Sequence, residues 1–145
     1  MREWLAEESE RPAVLVAGDG HVTVNLVEEL SDEPTLTVVT DDPVVVRGGR
    51  SDDETTVIEG DLTAPETLRT AEAGSATLAV VTLADDGRSM LTARLLRARF
   101  DVETVISTVE DPSVDRTGDV ETVCISETVA ERVSRLLDDR HPLTT

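Results

Sequence analysis

Lysine and tyrosine are absent from this chain of 145 residues, and cysteine, tryptophan and phenylalanine occur once each. Each shortage excludes some chemistry. Without lysine there is no Schiff base and no P-loop lysine for phosphate. Without tyrosine there is no Tyr/Lys proton relay of the kind found in small reductases. The single Cys124 rules out a disulfide framework and a cysteine-rich zinc site. No run approaches the roughly 20 apolar residues of a membrane-spanning helix. The first residues, MREWLAEESERP, carry a charge every few positions and no apolar signal core. With so few aromatics, the core must be built from Val, Leu, Ile and Ala.

Positive charge is also scarce. Thirteen basic residues, every one an arginine, face 31 acids, for a formal net charge of −18. Nucleic acid needs a basic footprint, so none is expected as a partner. An anionic membrane face is disfavoured for the same reason, and no direct membrane insertion is expected. The chain reads as cytoplasmic. Disorder by charge normally comes with few branched aliphatics, whereas Val clusters recur here at 14–16, 38–39, 44–46 and 80–81. An acidic surface with Arg in place of Lys resembles proteins from salt-accumulating halophiles. At molar salt the screening length falls to about 3 Å, and such a surface repels itself far less.

What the chain does have is an alternation of short apolar runs with helical periods, the pattern of βαβ units around a parallel sheet. Strands are expected at 13–17, 36–39, 56–58, 78–81, 102–109 and 120–125. Between them, Val22, Leu26, Val27 and Leu30 mark one helix face, ended by Ser31-Asp32-Glu33-Pro34. Thr63 and Glu66 form a capping box for a helix over 64–73. Met90, Leu91, Leu95 and Ala98 mark the face of an Arg-rich helix. Ser126 caps a last helix with Val129, Val133, Leu136 and Leu137 on one side. Residues 43–55 lack a helical period and are expected to be an irregular loop, and 110–119 has room for two helical turns at most. The fold class that follows is α/β: a doubly wound, Rossmann-like, mostly parallel six-stranded sheet in the order 3-2-1-4-5-6. The domain divides into a leader (1–12), the Rossmann-like unit (13–125) and a C-terminal helix and tail (126–145).

The strongest local signal is Val14-Leu15-Val16-Ala17-Gly18-Asp19-Gly20-His21-Val22-Thr23. A strand running into Gly-x-Gly and then a helix is where a dinucleotide pyrophosphate sits. The first glycine permits the turn and the second the approach of phosphate, while the helix start offers unpaired N–H groups. Thr23 replaces the third glycine, and is expected to push the helix outward. An acid about 20 residues on should hold the ribose hydroxyls; Asp41 or Asp42 falls there. The alternative is that both merely end the strand before Pro43. His21 leaves the turn toward a phosphate or toward solvent, and Arg88 is near enough to meet a phosphate. Cys124 reads as inert core. The runs Asp52-Asp53-Glu54 and Asp85-Asp86 lack the spacing of a calcium loop and read as solvated acid. No catalytic or metal-ligating set emerges.

From about residue 13 to 137 the chain resembles the TrkA-N nucleotide-binding domain of regulators of potassium conductance (RCK). The most specific stretch is Gly60-Asp61-Leu62-Thr63-Ala64-Pro65-Glu66-Thr67-Leu68. Ala79-Val80-Val81-Thr82-Leu83-Ala84-Asp85-Asp86 is similar to the family's fourth strand and acidic turn. Val120-Glu121-Thr122-Val123-Cys124-Ile125-Ser126 is similar to the entry of its last helix, which crosses to a partner subunit. The resemblance implies that Gly18, Asp19, Gly20, His21 and Val22 hold phosphates and that Asp41 or Asp42 takes the adenosine ribose. Asp61 and Leu62 would border the adenine, and Thr82, Leu83 and Ala84 the far side. Ser89 stands where the family often has Asn, implying a weaker or absent hydrogen bond. The family's second, C-terminal ligand domain is not apparent, so a stand-alone subunit or a piece of a longer protein is expected.

Three functions follow. The first is a regulatory sensor that binds NAD(H), ADP or ATP and acts, as a homodimer or higher ring, on a potassium channel or transporter membrane subunit. The second is a degenerate Rossmann scaffold with the same fold and an empty turn, acting by assembly or by cation sensing without nucleotide. The third, a small NAD-dependent oxidoreductase, comes last because Tyr, Lys and a well-placed His for proton transfer are missing.

Overall fold

Branched aliphatics at alternate positions make each short apolar run two-faced, and the chain uses both faces. The computed structural model describes residues 13–30, 35–49, 55–114 and 118–140. The expected leader, the helix stop at 31–34, the acids at 52–54 and the final tail lie outside them. Six strands form one sheet: β1 (Val14–Gly18), β2 (Leu36–Thr40), β3 (Thr55–Glu59), β4 (Leu78–Thr82), β5 (Thr104–Val109) and β6 (Val120–Cys124). Their order is β3-β2-β1-β4-β5-β6, and every neighbouring pair is parallel. The helices are α1 (Gly20–Glu29), α2 (Pro43–Gly49), α3 (Pro65–Thr70), α4 (Asp86–Ala98) and α5 (Ile125–Arg140), with a 3-10 turn at Ala73–Ser75.

Central β1 is buried along its whole length. Val14 and Val16 pack with Leu36, Val38, Val27 and Val45 on one face of the sheet. Leu15 and Ala17 turn to the other, among Val39, Val81, Leu68, Leu83, Leu96 and Val102. Such burial contributes roughly 1.5–3 kcal/mol for each large aliphatic side chain. The sheet reverses its winding between β1 and β4. That switch point splays the loops apart and opens a crevice at the strands' C-terminal ends.

Several local expectations are corrected. Residues 43–49 are helical. Pro43 sets the helical φ at the first position, Asp42 accepts from Val44 N–H at 3.0 Å in the manner of an N-cap, and Val45 and Val46 are buried. Gly49 lets this helix rest on β3, since a Cβ there would lie 2.7 Å from Val57 Cγ2. Three successive valines read locally as extended chain, and burial overrides that preference. The capping box at Thr63 does not form: the Thr63 hydroxyl donates to Asp61 Oδ1 instead (2.7 Å), and α3 starts on Pro65 with no side-chain cap. It ends early, at Thr70, before left-handed Glu72 (φ +58). On α4 the buried face is Ser89, Met90, Thr92, Ala93 and Leu96, while Leu91 is half exposed. Two hydroxyl residues on that face disguised it: Ser89 donates to Leu83 O (3.0 Å) and Thr92 to Leu62 O (3.1 Å). Helix α5 begins at Ile125, so Ser126 lies within its first turn; the Ser126 hydroxyl donates to Glu110 O at 3.1 Å.

Candidate functional site

The turn after β1 is held from three sides. Asp19 N–H donates to Thr82 O (3.1 Å), tying the turn to β4 across the switch point. The Asp19 carboxylate then accepts from Ala84 N–H (2.9 Å). Gly20 adopts φ +73, a left-handed conformation that costs other residues energy. Its N–H donates to Asp42 Oδ2 at 2.8 Å. Asp42 therefore bridges the turn and the start of α2, and these two N–H bonds, with His21 and Arg47 nearby, hold its carboxyl below the ordinary carboxylate value.

Thr23 does not act as a spacer. Wholly buried, its hydroxyl lies 2.8 Å from Asp19 O, 3.1 Å from Thr82 O and 2.6 Å from Thr82 Oγ1. It fills the space that Gly18 leaves: a Cβ on Gly18 would collide with the Thr23 and Thr82 hydroxyls and lie 2.7 Å from Thr82 O. The helix is stitched to the strand by hydroxyls instead of by close approach to a third glycine.

The crevice these contacts frame has a volume of about 420 Å³. Of the residues singled out in the sequence, Asp19, Gly20, His21, Val22, Thr82, Leu83 and Ala84 line it. Val22, expected on the buried face of α1, is 46% exposed and belongs to this wall. Gly18, the last residue of β1, is buried and does not line it. Asp41, Asp42, Asp61 and Leu62 do not line this cavity; they stand at the ends of β2 and β3. Asp41 pairs with Arg88 of α4 at 3.3 Å, across from one strand end to the other side of the switch point. Asp61 accepts from Thr63 through side chain and backbone, which lowers its pKa, and the Arg88 charge lowers it further. Leu62 is fully buried in the core, and its carbonyl accepts from the Thr92 hydroxyl.

Three further lining residues, Thr108, Glu110 and Ile125, come from the ends of β5 and β6. Their signal was positional: ligands of such sheets lie outside the carboxyl ends of the strands, and 108–110 closes the strand next to β4. The acidic turn is not loose solvated acid. Asp85 caps α4 by accepting from Arg88 N–H (2.9 Å), and Asp86 accepts from the N–H groups of Glu110 (2.7 Å) and Asp111 (2.9 Å). Ser89 makes its bond to Leu83 O despite its short side chain. Cys124 is buried, its sulfur 3.2 Å from Ser126 Oγ. Among the described residues, no three His, Cys, Asp or Glu side chains are grouped to hold a metal ion, and no helix is long and apolar enough to cross a membrane.

The TrkA-N domain of the inner membrane protein ybaL from Escherichia coli superposes with a TM-score of 0.74 at 20% identity, covering 90% of this chain and 99% of that one. The GsuK channel bound to NAD gives 0.69 at 18% identity, covering 87% of this chain; the match spans only 24% of that channel's length. The Kef C-terminal domain of Shewanella denitrificans in its AMP-bound form gives 0.64 at 17% identity, over 90% of this chain and 93% of that one. No curated protein matches the sequence. The family model of the TrkA-N domain matches residues 14–136, from the first residue of β1 nearly to the end of α5. The chain belongs to the TrkA-N domain family.

Proposed function

We propose that the chain is a regulatory nucleotide-binding domain, taking NAD(H) or an adenine nucleotide in the crevice at the β1–β4 switch point and controlling a potassium channel or transporter. The observation that carries this reading is the pre-arranged turn: Gly20 left-handed, Asp19 and Thr23 pinned to β4, and the start of α1 opening into the crevice. Phosphates fit at the free N–H groups and positive end of α1. Asp41 and Asp42 flank the ribose position, with Asp61 beyond. The names of the similar structures, a channel bound to NAD and a Kef domain bound to AMP, support both the ligand class and the membrane partner. A sensor needs only different ligand affinities in two assembly states.

The assembly we infer is a homodimer or a ring of dimers. Helix α5 buries none of its residues. Val129, Val133, Leu136 and Leu137, each 42–55% exposed, form a stripe along it. Val80 and Ile106, paired on β4 and β5, are only half buried. An apolar helix stripe and an incompletely covered sheet suit a second copy related by two-fold symmetry.

The test is thermal or chemical unfolding of the protein in molar KCl, with and without NAD⁺, NADH, AMP, ADP and ATP. A ligand at 100 times its Kd should add about 2.7 kcal/mol to the unfolding free energy. No shift with any of the five would leave the fold as a scaffold acting through assembly alone.

A further inference from the structure

Charge in the crevice runs against an anionic ligand. The ionisable side chains of its lining are Asp19, His21 and Glu110, two carboxylates and one imidazole. The chain has no lysine, and its formal net charge is −18 with histidine neutral. Among the described arginines none lines the crevice; Arg88 is paired with Asp41, and Arg47 lies close to Asp42. The start of α1 offers its dipole, worth roughly half an elementary charge. A diphosphate carries several times that. His21 is the lining side chain that can supply a full positive charge, and it does so only when protonated.

His21 is exposed at the second position of α1, directly after left-handed Gly20. The charged groups around it are Asp19 on the same turn, Asp42 before α2, Arg47 within α2, and Glu110 beyond β5. The Asp19 and Asp42 carboxylates already accept from the backbone N–H groups of Ala84, Gly20 and Val44. Histidine ordinarily titrates near pH 6.5, and a negative charge placed beside the ring favours its cationic form. Resting on the nucleotide reading above, we propose that binding is proton-linked: His21 takes one proton from solvent as a phosphate settles at the turn, and affinity rises as pH falls. A regulator built on this crevice responds to acidity and nucleotide together, with His21 as the residue that couples them.

Titration calorimetry of the full chain with NAD⁺, whose phosphates do not titrate near neutrality, tests this. Runs in buffers of different ionisation enthalpy count the protons taken up on binding. Affinity is expected to be about tenfold higher at about pH 6 than at about pH 8, the scale of one charge-assisted hydrogen bond, with net proton uptake between them. Adenosine, which has no phosphate, should show neither effect. His21→Gln should flatten the pH profile, and His21→Arg should hold the tight, low-pH affinity throughout. His141, the second histidine of the chain, lies outside the described residues, and His141→Gln should keep the wild-type profile. If AMP binds and NAD⁺ does not, the same series is read with AMP above about pH 7, where its phosphate is already ionised. An affinity that is constant across the range, or a dependence that survives His21→Gln, would overturn the proposal while leaving the nucleotide site standing. Failure of both NAD⁺ and AMP to bind at any pH would overturn the nucleotide reading and this proposal with it.

Discussion

Gly18 and Gly20 are both glycine, but a side chain would fail at each for a different reason. At Gly18 the obstacle is packing: the Thr82 carbonyl and two buried hydroxyls occupy the space. Gly18→Ala is expected to destabilise the protein by about 1–3 kcal/mol, seen as a lower melting temperature whether or not nucleotide is present. At Gly20 nothing lies within 4 Å, and the cost is the left-handed φ of +73, roughly 1–2 kcal/mol for another residue. Gly20→Val should melt several degrees earlier and also lose the nucleotide-induced shift, because its side chain occupies the approach of the phosphates. A full shift in that variant would remove the phosphates from this turn. Asp42 adds a pH dependence. Its native pKa lies below the unfolded value, held there by the N–H groups of Gly20 and Val44. Its contribution is therefore complete above the unfolded value and is lost as pH falls through the native one. Denaturation between about pH 5 and pH 2 should show a shallower acid loss for Asp42→Asn than for the wild type, and equal slopes would count against the bridge.

Helix α4 depends on side chains that its hydropathy pattern underrates. Ser89 and Thr92 are buried because each hydroxyl finds a carbonyl, which removes most of the penalty for burying it. At its start, one acid caps the helix and the next reaches to the backbone beyond β5. Asp86→Ala would leave the N–H groups of Glu110 and Asp111 without that partner. The expected loss is about 0.5–1.5 kcal/mol, together with weaker binding, since Glu110 belongs to the crevice wall. Unfolding free energy unchanged by Asp86→Ala would mean that water replaces the carboxylate without cost. The short α2 illustrates the same limit from the other direction: nothing periodic in Pro43-Val44-Val45-Val46 marks a helix, and it forms because Asp42 caps it and β3 receives it.

In the whole molecule, charge and the α5 stripe act against each other. A net charge of −18 on a chain this small favours separation of copies at low salt, while the α5 stripe favours their association. Raising KCl to molar levels shortens the screening length to about 3 Å and should tip the balance toward the dimer. Light scattering is expected to give twice the monomer mass in high KCl and the monomer mass for Val133→Glu or Leu137→Glu. A monomer at every concentration, indifferent to both substitutions, would exclude the α5 dimer and weaken the case for a regulatory ring.

The sequence by itself determined the strand order and the turn, because a doubly wound sheet leaves few ways to arrange six alternating units and Gly-x-Gly follows β1 directly. It also marked the acids at the end of β2, though not which oxygen would meet which N–H. Only the tertiary structure decided that Asp42 takes the turn while Asp41 takes Arg88, since that depends on where α2 and α4 come to rest. The same holds for Thr23. Read along the chain it is a flaw in a glycine motif, spoiling the approach of helix to strand. In the folded protein Thr82 arrives 59 positions later in sequence to meet its hydroxyl, and a side chain too large for one packing scheme becomes the bond that holds another.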